Sequence, residues 1–190
     1  MTNVVIIGGG PAGLSAALFT AKNGLDTVVF DTDETAMHAA HLWNYLGIKS
    51  IGGSEYMEIA REQVDEQGAE RKQGEEVTSV EKSDDGFTIT AESDESDDAK
   101  EYDAKYVVFT TGRARDMAEK LGCELNDDGT VAIDMDNATT VENAYAAGWT
   151  ARADKIQAAI SVGGGAAAGL DILSAEKGRA FHDFDTPEDA

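Results

Sequence analysis

Residues 3–18 read NVVIIGGGPAGLSAAL, and residues 27–31 read TVVFD. The first stretch opens with an uninterrupted apolar, β-branched run, which is typical of a parallel strand buried on both faces. Glycines follow this run, and helical spacing then continues to Lys22, with Asn23 and Gly24 as the signal for the helix end. The order of strand, glycine turn, helix, strand and acid predicts the first βαβ unit of an α/β domain.

The glycines of this turn have separate steric roles. We predict that Gly8 permits the tight turn, Gly10 lets a pyrophosphate approach the backbone, and Gly13 lets the helix pack closely on the sheet. The helix N-terminus would supply free N–H groups to the phosphates. Asp31, eighteen residues after Gly13, would bind ribose hydroxyls and disfavour a 2′-phosphate by charge repulsion. These features predict a dinucleotide site, but NAD and FAD share the fingerprint, so both stay open at this point.

The chain is strongly acidic. Its 190 residues include 15 Lys and Arg against 37 Asp and Glu, a formal net charge of −22. Such a surface repels nucleic acid and anionic membranes, so we expect neither as a partner. The acids are dispersed, a composition similar to that of halophilic proteins from salt-accumulating haloarchaea, and low salt should loosen the fold. The alternative is an acidic docking face for a basic partner.

Length and cysteine usage narrow the class of protein. The 190 residues suit one binding domain. The start lacks a basic segment and no apolar run approaches membrane-spanning length, so we expect a cytoplasmic protein. Cys123 is the only cysteine, which excludes a disulfide and a Cys-x-x-Cys centre within this sequence. No cation flanks Cys123, and we predict a buried, inert thiol.

The later elements are predicted from periodicity and turn signals. We place strands at residues 77–80, 87–90, 102–111, 131–134 and 144–147, with an acidic loop at 92–100. Helical spacing marks residues 53–67 and about 156–177, whereas residues 32–49 are irregular or partly helical. The first three of these strands form an antiparallel β-meander, about residues 75–105, inserted in a Rossmann-like central parallel sheet. We therefore predict one α/β domain over 1–180 and an acidic tail, without an assigned role, over 181–190.

Short motifs in a fixed order extend this pattern. They are the glycine turn, Asn44-Tyr-Leu-Gly47, Glu58-Ile-Ala-Arg-Glu-Gln63 with Gly68-Ala-Glu70, Thr111-Gly112, Ala144-Tyr-Ala-Ala-Gly148 and Gln157-Ala158. Together they resemble the FAD domain of thioredoxin reductase-like proteins, members of the FAD-dependent pyridine nucleotide-disulfide oxidoreductases. The resemblance covers most of the chain. It implies FAD as cofactor, electron transfer through the flavin, and a homodimer.

The resemblance also implies a role for each matching position. Asp31 would hold the adenosine ribose, Val77 would face the adenine, and Thr111-Gly112 would pass the pyrophosphate. Asn44 and the backbone of Gln157-Ala158 would lie beside the isoalloxazine ring, where a helix N-terminus stabilises the negative charge of reduced flavin. The predicted cofactor-binding residues are Gly8, Gly10, Pro11, Ala12, Gly13, Asp31, Asn44, Val77, Thr111, Gly112, Gly148, Trp149, Gln157 and Ala158. No catalytic residue can be named.

The sequence departs from the family pattern in three places. The family carries an NAD(P)H domain with the Cys-x-x-Cys pair after the Thr-Gly strand, whereas here Thr111-Gly112 leads almost directly to Val131, so we predict that this domain is absent. Trp149 replaces the aspartate that reaches the ribityl hydroxyls, which would weaken FAD binding by about 1–3 kcal/mol unless Trp149 packs against the cofactor. Residues 36–43 replace the Gly-Gly-Gln-Leu loop beside the flavin.

Two other patterns imitate binding sites. Residues 160–169, ISVGGGAAAG, look like a second dinucleotide turn, but no strand and acid follow, so we predict that they pack against the first glycine helix. His38 and His41 could share one side of a helical turn, yet no further ligands accompany them, and we expect no metal site.

Four further side chains have open roles at this point. Arg113 and Arg115 would contact an anionic cofactor or partner, or they are solvent-exposed charges. Trp43 and Tyr45 would stack on a flavin, or they belong to the core or an interface.

Two hypotheses of different class follow. The first is a flavoprotein oxidoreductase that transfers electrons through FAD without the dithiol route, its electron donor and acceptor being unknown. The alternative is a catalytically silent FAD-binding or regulatory subunit, which Trp149 and the altered loop after Asp31 support. An NAD-binding domain without flavin fits less well, because the meander and the Ala-Ala-Gly segment match flavoproteins.

Overall fold

A computed structural model describes residues 2–93 and 96–186, except for the side chains of 96–98. The helices are α1 (Pro11–Lys22), α2 (Gly53–Glu66), α3 (Asp116–Leu121) and α4 (Ala158–Lys177), with 3-10 turns at Ala36–Ala39 and Gly148–Thr150. The strands are β1 (Thr2–Ile7), β2 (Thr27–Asp31), β3 (His41–Leu42), β4 (Ile51–Gly52), β5 (Glu70–Gln73), β6 (Glu75–Ser83), β7 (Gly86–Ser93), β8 (Ser96–Phe109) and β9 (Ala144–Ala146).

One long strand joins a parallel sheet to an antiparallel one. The parallel strands run in the order β5, β2, β1, β8, β9, and the last part of β8 pairs with both β1 and β9. The first part of β8 pairs antiparallel with β7, which pairs with β6. The predicted α/β fold, a central parallel sheet with an inserted antiparallel meander, is confirmed.

Alternate side chains of β1 pack in two hydrophobic clusters, one on each face of the sheet. Val4 and Ile6 join the cluster that contains Leu14 of α1 and Ile172 of α4. Val5 and Ile7 face the other cluster, which includes residues of the meander. Because successive side chains of a strand point to opposite faces, an all-apolar run is what a strand covered on both faces requires.

The second glycine-rich segment is a packing face within α4. A Cβ added at Gly165 would lie 2.0 Å from the carbonyl oxygen of Ala12, and one at Gly169 would lie 3.1 Å from Cβ of Phe19. The predicted packing against the first glycine helix is confirmed. Among the described residues, α4 is the one helix long and apolar enough to cross a membrane, and a third of its apolar window is buried.

Two predicted segments differ from the structure, and the C-terminal tail has partners of its own. Residues 131–134 are not a strand. Val131 forms a single β-bridge with Leu125, and its N–H donates a hydrogen bond to the carbonyl oxygen of Thr150, which belongs to no neighbouring strand. Most of the expected acidic loop at 92–100 is strand, because β7 and β8 stay paired as far as Ser93 and Ser96. In the tail, Asp183 and Asp185 form ion pairs with Lys22 of α1. Residues 187–190 lie outside the described part of the chain.

Candidate functional site

A cleft of about 620 Å³ opens at the carboxyl ends of β1, β2, β8 and β9. This is the edge where ligands bind to open α/β sheets, and the volume lies in the usual range for a small-molecule site. Twelve of the fourteen predicted cofactor-binding residues line it, namely Gly8, Gly10, Pro11, Ala12, Asp31, Asn44, Thr111, Gly112, Gly148, Trp149, Gln157 and Ala158. Gly13 and Val77 are not among the residues that line the cleft.

Gly8 and Gly13 are required by close backbone packing. Gly8 has φ +110°, and a Cβ there would lie 2.4 Å from the carbonyl oxygen of Thr110. A Cβ at Gly13 would lie 2.0 Å from the carbonyl oxygen of Gly8. Both contacts are far shorter than van der Waals distance, so the predicted roles of the two glycines, a tight turn and close helix packing, are confirmed.

Gly9 and Gly10 differ in what surrounds them. A Cβ at Gly10 would meet only Thr35 Oγ1, at 3.6 Å, on the side where this residue lines the cleft. A Cβ at Gly9 would overlap Cγ of Asp31, at 2.0 Å. Gly10 therefore leaves room for a ligand, while Gly9 leaves room for the buried aspartate. The requirement at Gly9 was missed, because only the tertiary structure brings Asp31 against the turn.

Two helices begin at the cleft, and the N–H groups of their first turns have no partner within the helix. The first intrahelical bond of α1 runs from Leu14 to Gly10 (2.9 Å), and that of α4 runs from Ser161 to Gln157 (3.0 Å). Neither helix has a side-chain cap at its start. The preceding N–H groups and the positive ends of both helix dipoles thus face a ligand in the cleft, an arrangement that favours anionic groups.

Asp31 is engaged within the protein. Its side chain is 2% exposed, and its Oδ2 accepts a hydrogen bond from Nε of Arg61 (3.0 Å) and forms an ion pair with Nη2 of the same residue (2.9 Å). Its Oδ1 accepts a hydrogen bond from the backbone N–H of Asp33 (2.9 Å). Nη1 of Arg71 lies 4.0 Å from its Oδ2. The expected repulsion of a 2′-phosphate by Asp31 is thereby weakened, because two arginines compensate its charge. Neither arginine had been predicted, since they come from α2 and β5.

Asp33 and His38 extend this network at the surface. Arg61 also hydrogen-bonds the Asp33 carboxylate, and His38 Nε2 lies 2.7 Å from the same carboxylate oxygen. The bond from Arg61, and secondly the one from His38, lowers the pKa of Asp33. The other ring nitrogen of His38 faces Ser54, whereas His41 faces Ser50. The two histidines therefore have separate partners.

The opposite side of the cleft brings two predicted residues into direct contact. Asn44 Nδ2 donates a hydrogen bond of 2.8 Å to Oε1 of Gln157, the residue before α4. Beside them, the rings of His41 and Trp43 lie 4.3 Å apart, and Trp43 is 74% exposed. Tyr45 instead packs against Tyr56, with ring centroids 5.7 Å apart, in a second groove.

Val77 and Cys123 are both buried in the core. Val77 is 5% exposed and packs in the cluster that fills the meander, so its side chain does not reach the cleft. Any contact of Val77 with the adenine is therefore limited to its backbone atoms. Cys123 is 4% exposed, and burial raises the pKa of its thiol. The prediction of a buried thiol is confirmed.

Arg113, Arg115 and Trp149 form a cluster at the cleft wall. Arg115 donates hydrogen bonds to the carbonyl oxygens of Trp149 (2.7 Å) and Thr150 (3.2 Å). Arg113 lies over the Trp149 ring, with the guanidinium carbon 4.5 Å from the ring centroid. Arg115 is thus a backbone clamp, and Arg113 is held by a cation–π contact on the wall of the cleft.

Comparison with known proteins shows the family of this chain. The family model described as pyridine nucleotide-disulphide oxidoreductase matches residues 2–112 and 50–163. The chain belongs to this family. A curated relative, the F subunit of the alkyl hydroperoxide reductase of Staphylococcus epidermidis, is 32% identical over 112 residues, 58% of this chain and 21% of that protein. The chain therefore spans about a fifth of the length of the curated relatives it matches.

Solved thioredoxin reductases share the fold of this chain. The atypical thioredoxin reductase TRi from Desulfovibrio vulgaris Hildenborough aligns with a TM-score of 0.83 at 20% identity, covering 94% of this chain and 99% of that chain. The thioredoxin reductase from Gloeobacter violaceus aligns with a TM-score of 0.82 at 18% identity, covering 97% and 99%. The chain has the fold of a thioredoxin reductase FAD domain.

Proposed function

We propose that this chain binds FAD in the cleft and acts in an oxidoreductase that passes electrons through the flavin. The observation that carries the proposal is the convergence of two uncapped helix N-termini on one cleft that the glycine turn keeps open at Gly10. A dinucleotide with a central diphosphate needs such a pair of anion-binding helix ends. The residues present fit FAD.

Each part of the cleft has a proposed role toward the cofactor. The N–H groups at the start of α1 bind the diphosphate, and Asp31 accepts a ribose hydroxyl through its remaining lone pairs. Asn44 and Gln157, joined by their hydrogen bond, position the ring beside the N-terminus of α4. Bound FAD supplies hydride and single-electron transfer, and the positive end of α4 favours negative charge on the ring.

We also propose that two copies associate and that the protein is cytoplasmic. An apolar groove beside the cleft, which includes Tyr45, Tyr56 and Ile59, supports the homodimer. Ile59 is 46% exposed and the neighbouring Leu46 is 98% exposed, although both are large apolar side chains. Light scattering in concentrated KCl measures the mass directly. A monomer at all protein concentrations would contradict this part of the proposal.

The second candidate function is an FAD-binding or regulatory subunit without its own redox activity. Trp149 favours it, because the indole lines the cleft where the family aspartate reaches the ribityl chain. Bound FAD that NADH, NADPH and dithiols reduce slowly or not at all would support this candidate. Rapid reduction by any of the three would exclude it.

The visible absorption spectrum of protein purified in concentrated KCl tests the central proposal. We expect a flavin spectrum, with FAD as the released cofactor by chromatography at about one per chain. A colourless protein that also fails to take up added FAD would overturn the proposal. Titration with NAD in parallel separates FAD binding from nicotinamide dinucleotide binding.

A further inference from the structure

A cation lies on the wall of the cleft. Among the described residues that line the cleft, Arg113 is the one lysine or arginine, against the acids Asp31 and Glu34. No described carboxylate forms an ion pair with Arg113, although the chain carries 37 Asp and Glu. Because no described carboxylate compensates its charge, the guanidinium of Arg113 is available to an anionic ligand in the cleft.

Trp149 holds the guanidinium of Arg113 in place through its ring. The indole ring lies under the guanidinium, and Arg115 fixes the Trp149 backbone through two hydrogen bonds. A tryptophan face orients a guanidinium without neutralising it. An aspartate at position 149, which is the acid of the family pattern, would stand beside Arg113 and pair with it. The exchange of acid for tryptophan therefore leaves the positive charge available.

The position of Arg113 indicates which part of a ligand it meets. It directly follows Gly112, and both residues line the same cleft as Gly8, Gly10 and the start of α1. The glycine turn and the N-terminus of α1 are the anion-binding elements of this cleft. A ligand anion held by these elements therefore shares the cleft with the guanidinium of Arg113.

We infer that Arg113 binds the diphosphate of the dinucleotide and that Trp149 is the residue that positions it. This inference rests on the proposed binding of FAD. The replacement of the family aspartate is then a change of binding chemistry: the hydrogen bond to the ribityl chain is given up, and a charge-assisted bond to the diphosphate is gained.

Equilibrium titration of apoprotein in KCl tests the inference, with FAD and riboflavin as probes because riboflavin lacks the diphosphate. We expect Arg113→Ala to weaken FAD binding by about 10- to 100-fold and to leave riboflavin binding within about threefold of wild type. Arg113→Lys should keep part of the FAD affinity. Arg179→Ala, which changes an exposed arginine beyond the far end of α4, is the matched control and should leave both affinities unchanged.

Substitutions at Trp149 test whether FAD binding depends on a bond from Arg113 to the diphosphate or would gain from an acid that bonds the ribityl chain. Trp149→Phe keeps an aromatic face and should retain FAD binding within a few-fold, whereas Trp149→Asp should weaken FAD binding about as much as Arg113→Ala. Tighter FAD binding by Trp149→Asp, or equal FAD binding by Arg113→Ala and wild type, would overturn the inference. Circular dichroism of each variant checks the fold. A wild type that binds neither probe would instead contradict the proposed function itself.

Discussion

The two ends of the cleft handle charge in opposite ways. At the Asp31 end, formed by Asp31, Asp33, Arg61 and Arg71, acids and arginines compensate each other within the protein. At the Trp149 end, formed by Trp149, Arg113 and Arg115, the guanidinium of Arg113 lies on an aromatic ring and no described carboxylate pairs with it.

The difference separates fold stabilisation from ligand binding. A buried carboxylate with two arginine partners ties β2 to α2, so its removal leaves part of the charge of Arg61 uncompensated, with Asp33 as the remaining partner. An exposed cation on a tryptophan contributes little to the fold but stays available to an anion. Changes at the Asp31 end should therefore act mainly on the free energy of unfolding, and changes at the Trp149 end mainly on ligand affinity.

The largest effect is expected from Asp31→Asn. The amide keeps the shape of the side chain but leaves the guanidinium of Arg61, 13% exposed, against a neutral group. We expect the free energy of unfolding to fall by about 2–4 kcal/mol, measured by urea unfolding in concentrated KCl. Trp149→Phe is the counterpart at the other end and should lose less than about 1 kcal/mol. Equal losses in the two variants would contradict the comparison.

The neighbouring glycines of the turn give the next effect. Gly9→Ala forces Asp31 to move, because the added Cβ would lie 2.0 Å from its Cγ, and should lower the free energy of unfolding by about 2 kcal/mol. Gly10→Ala has room in the fold but fills the cleft, so it should keep wild-type stability and weaken FAD binding about tenfold or more. Thermal unfolding and FAD titration of both variants check this. A stable Gly9→Ala protein would show that the turn tolerates a side chain against Asp31.

Salt should move stability and binding in opposite directions. Raising KCl from about 0.5 M to about 3 M screens the self-repulsion of a chain with net charge −22 and should raise the melting temperature. The same salt screens Arg113 from a diphosphate and should weaken FAD binding several-fold. In Arg113→Ala this salt dependence of the FAD dissociation constant should be smaller. An identical dependence in both proteins would place the screened contact elsewhere.

The smallest effect is expected in acid at the Asp31 end. The pKa of Asp33 is lowered from 3.8, first by its hydrogen bond from Arg61 and then by that from His38. A lowered carboxyl pKa stabilises the fold above the unfolded value, and this stability is lost as the pH falls through the folded value. Below about pH 4, the melting temperature of wild type should therefore fall slightly more steeply than that of Arg61→Gln. Because the Asp33 side chain is 47% exposed, solvent keeps the difference small.

Local pattern was a good guide where neighbours in sequence make the contacts. The first βαβ unit, the roles of Gly8 and Gly13, and the packing of the second glycine-rich segment were predicted from spacing and residue size. Residues 131–134 were predicted wrongly as a strand, because alternation does not reveal whether a partner strand is present. The expected acidic loop was too long, since ladder pairing with β7 keeps charged residues in extended conformation.

The sequence by itself determined the glycine turn, the strand and helix around it, and the acid that follows, because these depend on steric limits within a few residues of each other. The tertiary structure decided how that acid is used. Arg61 comes to Asp31 from thirty residues away, and Trp149 comes to Arg113 from thirty-six. Such pairs carry no signal in a single sequence, because each arginine has many possible partners along the chain. The order of the strands in the sheet decides which of them come close.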